Sequence, residues 1–245
     1  MIDSDLPPDA RDSHVAPEGR EPAFYGRRKG KALRPGRARL METLLPGIAV
    51  PEGESMLEPR ALFAKPVAEA WLEIGFGGGE HLAGQAEAHP DVGIVGCEAF
   101  FNGVASLMSL LDKGSSTDRV RIHHGDVRPL MPRFVEASFS RIFVLFPDPW
   151  PKTRHAKRRF IGPDNLPELA RLLADGGELR VASDDMTYIR WALRHLMDDV
   201  RFTWMAEGPD DWMGRPDDWV PTRYEQKAIR QGRAPVILRF RRNPR

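Results

Sequence analysis

At 245 residues, with 41% hydrophobic side chains and a formal net charge of +1, the chain is long enough for one α/β domain with additions and apolar enough to give it a core. Its single cysteine, Cys97, excludes an intramolecular disulfide and a cysteine-rich metal site, fits a reducing cytoplasm and reads as a buried small apolar residue. No apolar run approaches the roughly 18 residues of a membrane span, and the opening MIDSDLPPDARDSHVAPEGREP lacks the cations and apolar stretch of a targeting segment, so a soluble cytoplasmic protein without membrane contact is expected.

Residues 1–23 are dominated by proline, aspartate and glycine, and they offer too little apolar surface to offset ordering entropy; a disordered tail is expected there. Residues 24–245 read as one domain that opens with a basic arm, residues 24–46. VAEAWLEIGF, from Val67, is a buried strand running into a glycine-rich turn, and GEHLAGQAEAH a helix. VGIVGCEA is the second strand. Phe101, Val104, Leu107, Met108 and Leu111 recur at helical spacing over residues 101–113, ending near Gly114. RVRIHHGD is the third strand, and SRIFVLFP the fourth, stopped by proline. Leu166, Leu169, Ala170, Leu172 and Leu173 mark a helix closed by Gly176 and Gly177; ELRVASDD is the fifth strand, followed by a helix through Ile189, Trp191, Leu193 and Leu196. RFTWMAE and PVILRFRR make two late strands around a long polar connection. Alternating strands and helices predict an α/β fold: a mostly parallel, seven-stranded sheet with helices on both faces.

LEIGFGGGEHL places Glu73 at a strand end and Gly75, Gly77 and Gly79 in alternation after it, where glycine lets backbone approach a ligand closely. Glu98 ends the second strand, a position where an acid takes ribose hydroxyls, and Asp126 ends the third, placed for an adenine edge. A dinucleotide fingerprint would need its third glycine at residue 80, which is Glu80, and an acid opening that helix repels pyrophosphate. Glu73 before the glycines suits a cofactor with a cationic end, such as S-adenosylmethionine.

Pro147-Asp148-Pro149-Trp150-Pro151 leaves the fourth strand at the sheet edge where the cofactor is expected. Each proline restricts the residue before it, so Asp148 and Trp150 are both expected to be extended and stiff. A base stacked near Trp150 would meet Asp148 through its donor edge, with Lys152 and the arginines beyond holding phosphates. The alternative is a proline turn with Trp150 in the core and a solvated basic loop. Cations are segregated into three blocks: Arg27 to Arg39, Lys152 to Arg159, and Arg223 to the C-terminus, where Glu225 is the only acid. Such clustering points to a polyanion partner. Asp184 is a helix cap or a substrate contact, and Asp185 a cap. His123 and His124 belong to strand packing; no metal site is expected.

Taken together, EIGFGGGEHL, FPDPWPKTRHAKRRF, SDD and TRYEQKAIRQG resemble the bacterial tRNA (guanine-N7-)-methyltransferase family, over about Phe24 to Phe240. FPDPWPK followed by RHAKRR is the specific part; the glycine turn is shared by many methyltransferases. The resemblance implies a Rossmann-like class I S-adenosylmethionine-dependent methyltransferase fold, S-adenosylmethionine as donor, and N7 of a guanine in the tRNA variable loop as acceptor. It implies cofactor contacts at Glu73, Gly75, Gly77, Glu98, Asp126 and Asp148, with Asp148 also the active-site residue, and substrate contacts at Lys152, Asp184, Thr222, Arg223, Tyr224 and Glu225. The chain departs from the family pattern behind that last segment, at Gln226-Lys227-Ala228 and Gly232-Arg233. The expected partner is tRNA, with no obligate protein partner, the protein acting as a monomer or homodimer. Two rivals remain: a methyltransferase for exocyclic amino groups, whose Asp/Asn-Pro-Pro-aromatic order is not the Asp-Pro-Trp-Pro found here, and a non-catalytic RNA-binding protein on a degenerate methyltransferase fold.

Overall fold

The computed structural model describes residues 25–245, so the tail expected at 1–23 lies outside the described residues, as does Phe24. The basic arm is more structured than its composition suggested. An extended stretch leads into α1 (Pro35–Thr43) and α2 (Leu45–Ile48), with Pro35 at the first helical position, where a missing N–H costs nothing. Leu40 and Ile48 are the buried anchors of these helices, and both join a core cluster with Val104, Leu107 and Leu111 of α4 (Phe101–Leu111). The apolar residues of this segment, Leu40, Met41, Leu44, Leu45 and Ile48, follow a run of cations and are interrupted by Pro46 and Gly47, a weak periodic signal, which is why the helices were not expected.

Seven strands form one sheet: β1 (Glu69–Ile74), β2 (Val92–Cys97), β3 (Val120–His123), β4 (Phe139–Leu145), β5 (Leu173–Ser183), β6 (Phe202–Trp204) and β7 (Val236–Arg242). Their order is β3-β2-β1-β4-β5-β7-β6, parallel from β3 through β5, with β7 antiparallel to both β5 and β6. The expected α/β architecture is therefore present. The chain winds outward from β1 in both directions, which makes the gap between the carboxyl ends of β1 and β4 the topological switch point.

Both faces of the sheet are covered, and the central strands are accordingly apolar almost throughout. Alternation along each strand sorts side chains into two cores. Leu72, Ile74, Ile142, Val144, Leu179 and Val181 face α5 (Leu166–Leu172) and α6 (Met186–Met197); Trp71, Ile94, Phe143 and Ala182 face α4 and α3 (Glu80–Ala88). Two elements differ from the sequence reading. The helix at 166 stops at Leu172, and Gly176 (φ +79°) lies inside β5 beside a register shift between Phe139 and Arg141, so the glycines bend a strand rather than close a helix. The polar connection between β6 and β7 carries two helices, α7 (Asp210–Met213) and α8 (Arg223–Arg230), the second capped by the Thr222 side chain accepting from the Glu225 amide.

One buried charge network ties the parallel and antiparallel parts together. Arg180 on β5 is fully buried; it donates to Glu178 at 3.0 Å and to Asp218 at 2.9 Å, while Arg141 on β4 and Arg239 on β7 also reach these acids. Burial alone would raise the Asp218 carboxyl, but the Arg180 hydrogen bond and the charges of Arg180 and Arg141 outweigh it and bring its pKa down to about 2. Because the folded value is depressed, the stabilisation is complete above the ordinary carboxylate range and is lost as pH falls toward about 2. Urea titrations between neutral and acid pH should therefore show a flatter stability profile for Asp218→Asn than for the parent. Arg180→Met, which leaves Glu178 and Asp218 to the partly exposed Arg141 and Arg239, should lower stability at pH 7 by about 2 kcal/mol.

Candidate active site and nucleic-acid interface

Register brings the site residues to one edge. Glu73 pairs with Gly96 and Phe143, Ile74 with Cys97, and Cys97 with His123, so β1, β2 and β3 end at the same level and their loops meet above the switch point. The turn after β1 has left-handed backbone at Gly75 (φ +71°), Gly77 (φ +57°) and Gly79 (φ +81°), a run of conformations a side chain would strain. Gly77 is also crowded from the opposite side: a Cβ placed on Gly103 of α4 would stand 2.3 Å from the Gly77 carbonyl oxygen.

The acids expected at the strand ends behave differently from one another. Glu98 points at the glycine turn: one oxygen accepts from the Gly77 amide at 2.6 Å and the other from the Phe100 amide at 2.7 Å. Burial raises its pKa, the backbone amides oppose this, and the nearby Asp148 charge adds to the rise. Glu73 is not open to the cleft. Strand alternation puts it on the α3 face, 2% exposed, where it meets His81 Nδ1 at 2.7 Å. His81 packs edge-on against Phe143 and next to Trp219, and Gln85 follows it one turn along α3. The sequence reading missed this partner, though a histidine in the first turn after an acid-ended strand was the available signal. Asp126, expected at the adenine edge, is paired with Arg128.

The motif loop leaves β4 with Phe146 in left-handed backbone (φ +51°), its amide donating to the Ala182 carbonyl at 2.7 Å. Trp150 also has positive φ (+43°), which corrects the expectation that it is extended. Its indole is not in the core: it meets Tyr25 edge-on, with ring centroids 6.3 Å apart, and the Arg158 guanidinium lies over both rings, at 4.2 Å from the Tyr25 centroid and 4.9 Å from that of Trp150. Between the two left-handed residues, Asp148 is exposed and lines a cavity of about 270 Å³ with Pro147, Asp184, Tyr224 and Lys227.

The far wall of this cavity is the segment from Thr222. Tyr224 lays its ring against Gly77, Arg223 reaches Glu80 at 3.7 Å, and Asp184 is bridged by Arg233 at 2.7 Å. Asp185 caps α6 by accepting from the Thr187 and Tyr188 amides, as read from the sequence. Thr222 and Glu225 were expected as substrate contacts, but both are buried. Thr222 is the α8 cap, and the Glu225 oxygens are taken by Arg215 at 2.7 Å and Trp219 Nε1 at 2.9 Å, so these two residues position the wall.

Cations surround the cavity from outside. Lys152, Arg154 and Lys157 are exposed, and the field of Arg158, Arg154 and Lys152, after lost hydration, lowers the pKa of His155. The arm is fastened close by. The Arg28 carbonyl accepts from the Phe101 amide at 2.9 Å, and Asn102 bonds both the Gly30 amide and the Lys31 carbonyl, so the exposed cations from Arg27 to Arg39 continue the same rim. No group of acids, histidines and cysteines among the described residues is arranged to hold a metal ion.

A family described as "Putative methyltransferase" matches residues 68–237. The tRNA (guanine-N(7)-)-methyltransferase of Rhodospirillum rubrum is 56% identical over 91% of this chain and 88% of its own length. Those of Paramagnetospirillum magneticum and Ruegeria sp. are 53% and 45% identical, covering 91% and 99% of this chain and 94% and 99% of their own. The chain belongs to the tRNA (guanine-N(7)-)-methyltransferase family. Among solved structures, the aminoglycoside resistance methyltransferase NpmB1 aligns with a TM-score of 0.50 at 16% identity, over 72% of this chain and 88% of its own. The 16S rRNA methyltransferase KamB also gives 0.50, at 13% identity, over 73% and 89%. These two likenesses concern the fold alone, the S-adenosylmethionine-dependent methyltransferase architecture.

The family's glycine turn depends here on the bare Cα of Gly103. Gly103→Ala should lower the melting temperature by roughly 2–4 °C per kcal/mol of strain introduced and speed amide exchange at Gly77. Gly36→Ala in α1, whose added Cβ meets nothing within 4 Å, should leave exchange at Gly77 unchanged and should not lower the melting temperature.

Proposed function

We propose that this protein transfers a methyl group from S-adenosylmethionine to N7 of a guanine in the variable loop of tRNA, with Asp148 as the active-site carboxylate. The observation that carries the reading is the placement of Asp148: exposed in the cavity between the loops that follow β4 and β5, close enough to Glu98 to raise its pKa, and bracketed by two strained residues. The donor fits the residues present. Glu98 and Asp148 make the edge beside the glycine turn negative, Glu80 opens α3, and a sulfonium with an amino group suits such a site where a pyrophosphate does not. When bound, S-adenosylmethionine supplies an electrophilic methyl carbon.

The residues then have few chemical tasks. Guanine N7 carries a lone pair and no proton, so as the N7–carbon bond forms and the carbon–sulfur bond breaks, its electron pair leaving with sulfur, no base has to remove a proton. Positive charge develops on the purine. Asp148 orients the base by accepting from its donor edge and stabilises that charge through space. Glu98 holds the Gly77 amide, Glu73 and His81 brace the turn from below, and Asp126 lies at the adenine end once Arg128 yields it. Tyr224, Arg223 and Asp184 wall the acceptor side. Lys152 and the cations of the arm hold phosphates, which gives affinity without choosing a base. A cavity of about 270 Å³ suits one unstacked base rather than a duplex. No helix among the described residues is long and apolar enough to cross a membrane, and the proposed setting is the cytoplasm, with tRNA as the partner.

Asp148→Ala should lower the single-turnover rate on the order of a thousandfold with little change in tRNA affinity. Lys152→Ala should instead weaken tRNA binding and reduce the slope of log K against log salt by about one. A wild-type rate in Asp148→Ala would remove the assigned role. Incubation with labelled donor and unmodified tRNA should place label in 7-methylguanosine of the variable loop; label confined to an amino-methylated nucleoside would move the protein to the exocyclic-amino class.

A further inference from the structure

The loop carrying Asp148 has a shape that its prolines do not by themselves produce. In extended backbone, successive carbonyls point to opposite sides. Here the Pro149 and Trp150 carbonyls converge on one guanidinium: Arg159 Nε lies 3.2 Å from each, and its Nη2 lies 3.0 Å from the Trp150 oxygen and 3.5 Å from that of Pro151. Turning neighbouring carbonyls to the same side requires the residue between them to leave the extended region, and Trp150 does so with φ +43°. Pro151 favours extended backbone at that residue, so the conformation needs a hold from elsewhere.

Arg159 has the features of such a hold. It is 7% exposed, and among the described residues it meets no carboxylate at ion-pair distance, although Asp185 is near enough to act on its charge. Its buried donors are satisfied chiefly by the loop's carbonyls. The guanidinium lies over Trp191 of α6, 4.8 Å from the ring centroid, and Trp191 is itself pinned by its indole N–H donating to the Ile161 carbonyl at 2.6 Å. The loop after β4 is thereby tied to α6, the helix that follows Asp184 and Asp185.

We propose that Arg159 is a positioning residue: by gathering the carbonyls of residues 149–151 it fixes the left-handed turn at Trp150 and thereby aims the Asp148 carboxylate into the cavity. The inference rests on the reading of Asp148 given above. A planar fork of donors spans several carbonyls in one plane, whereas an ammonium is a point charge on a flexible stem, so lysine should not substitute.

The test uses Arg159→Lys, which keeps charge and approximate size, in the full-length protein. Its single-turnover methylation rate should fall by about a hundredfold, while its affinities for tRNA and for S-adenosylmethionine stay within about threefold and unfolding stays cooperative. In an Asp148→Asn background the same substitution should add no further loss, since a residue acting through Asp148 has nothing left to align. A wild-type rate in Arg159→Lys, a loss confined to tRNA affinity, or a full additional loss on top of Asp148→Asn would each overturn the proposal. Should Arg159→Lys not fold, Trp191→Leu loosens the guanidinium without touching residues 146–151, losing besides only its own hydrogen bond to Ile161; a loss of about tenfold that vanishes in the Asp148→Asn background is expected, and an unchanged or independent rate overturns it. Full activity in Asp148→Ala removes the functional reading together with this inference, whereas an inactive Asp148→Ala beside a fully active Arg159→Lys removes the inference alone.

Discussion

The parallel register of β1 against β2 and β4 is the constraint on which the site depends. It sets Glu73 level with Gly96 and Phe143, so three loops rise from one sheet edge where the winding reverses between β1 and β4. A shift of one residue in β1 would exchange Glu73 with Leu72 or Ile74 between the two cores, burying an acid among the aliphatic side chains of α5 and α6. The buried alternation of β1 therefore specifies the site as much as the fold.

Charge is sorted by depth around that edge. Carboxylates occupy the strand ends and the cavity, where only Lys227 and Arg233 join them among the described residues, and the other cations occupy the rim from the arm to the loop at 152–158. The two populations meet in few places, among them the Arg233–Asp184 and Arg223–Glu80 pairs across the cavity wall, and neither arginine is buried. Exposed pairs of this kind contribute little to stability and exchange partners readily, so phosphates can compete for these arginines without disturbing the core. The network of Arg180, Glu178 and Asp218 is different in kind, since it is built around a fully buried guanidinium and, with Arg239, holds β5 to β7 and to the connection before β7 whatever occupies the site.

Much of this was legible in the sequence because it rested on local rules. Apolar runs, glycine spacing and proline stops located all seven strands, and the residues around Asp148 fixed its place at the end of β4. What escaped notice depended on contacts between distant residues. The helices of the arm exist because α1, with Leu40, finds α4 and α2, with Ile48, finds β3, and α8 because Thr222 caps it and Glu225 turns inward to Trp219 and Arg215. Glu73 was read as facing a ligand since its position is a strand end, but the side of the sheet it occupies follows from parity with Trp71, and its partner His81 comes from the next helix. The left-handed turn at Trp150 was missed for a related reason: local proline rules argued for extended backbone, and a buried guanidinium nine residues on prevailed.

Strain placed on both sides of one carboxylate has a physical logic in this chemistry. Non-glycine residues with positive φ are scarce among the described residues, Ala137, Phe146 and Trp150, and two of the three flank Asp148. Each costs roughly 1–3 kcal/mol and survives only where the surroundings over-determine it. Attack by a lone pair on a methyl carbon offers an enzyme no proton to move, so rate must come from alignment and from a fixed negative charge facing the purine. A flexible carboxylate would lose alignment, and one buried deeply in apolar surroundings would tend to take up a proton and lose its charge. Asp148 is solvent-accessible, yet it is carried on backbone that is locked at Phe146 by the Ala182 carbonyl and at Trp150 by Arg159, so its rigidity comes from the peptide and not from burial.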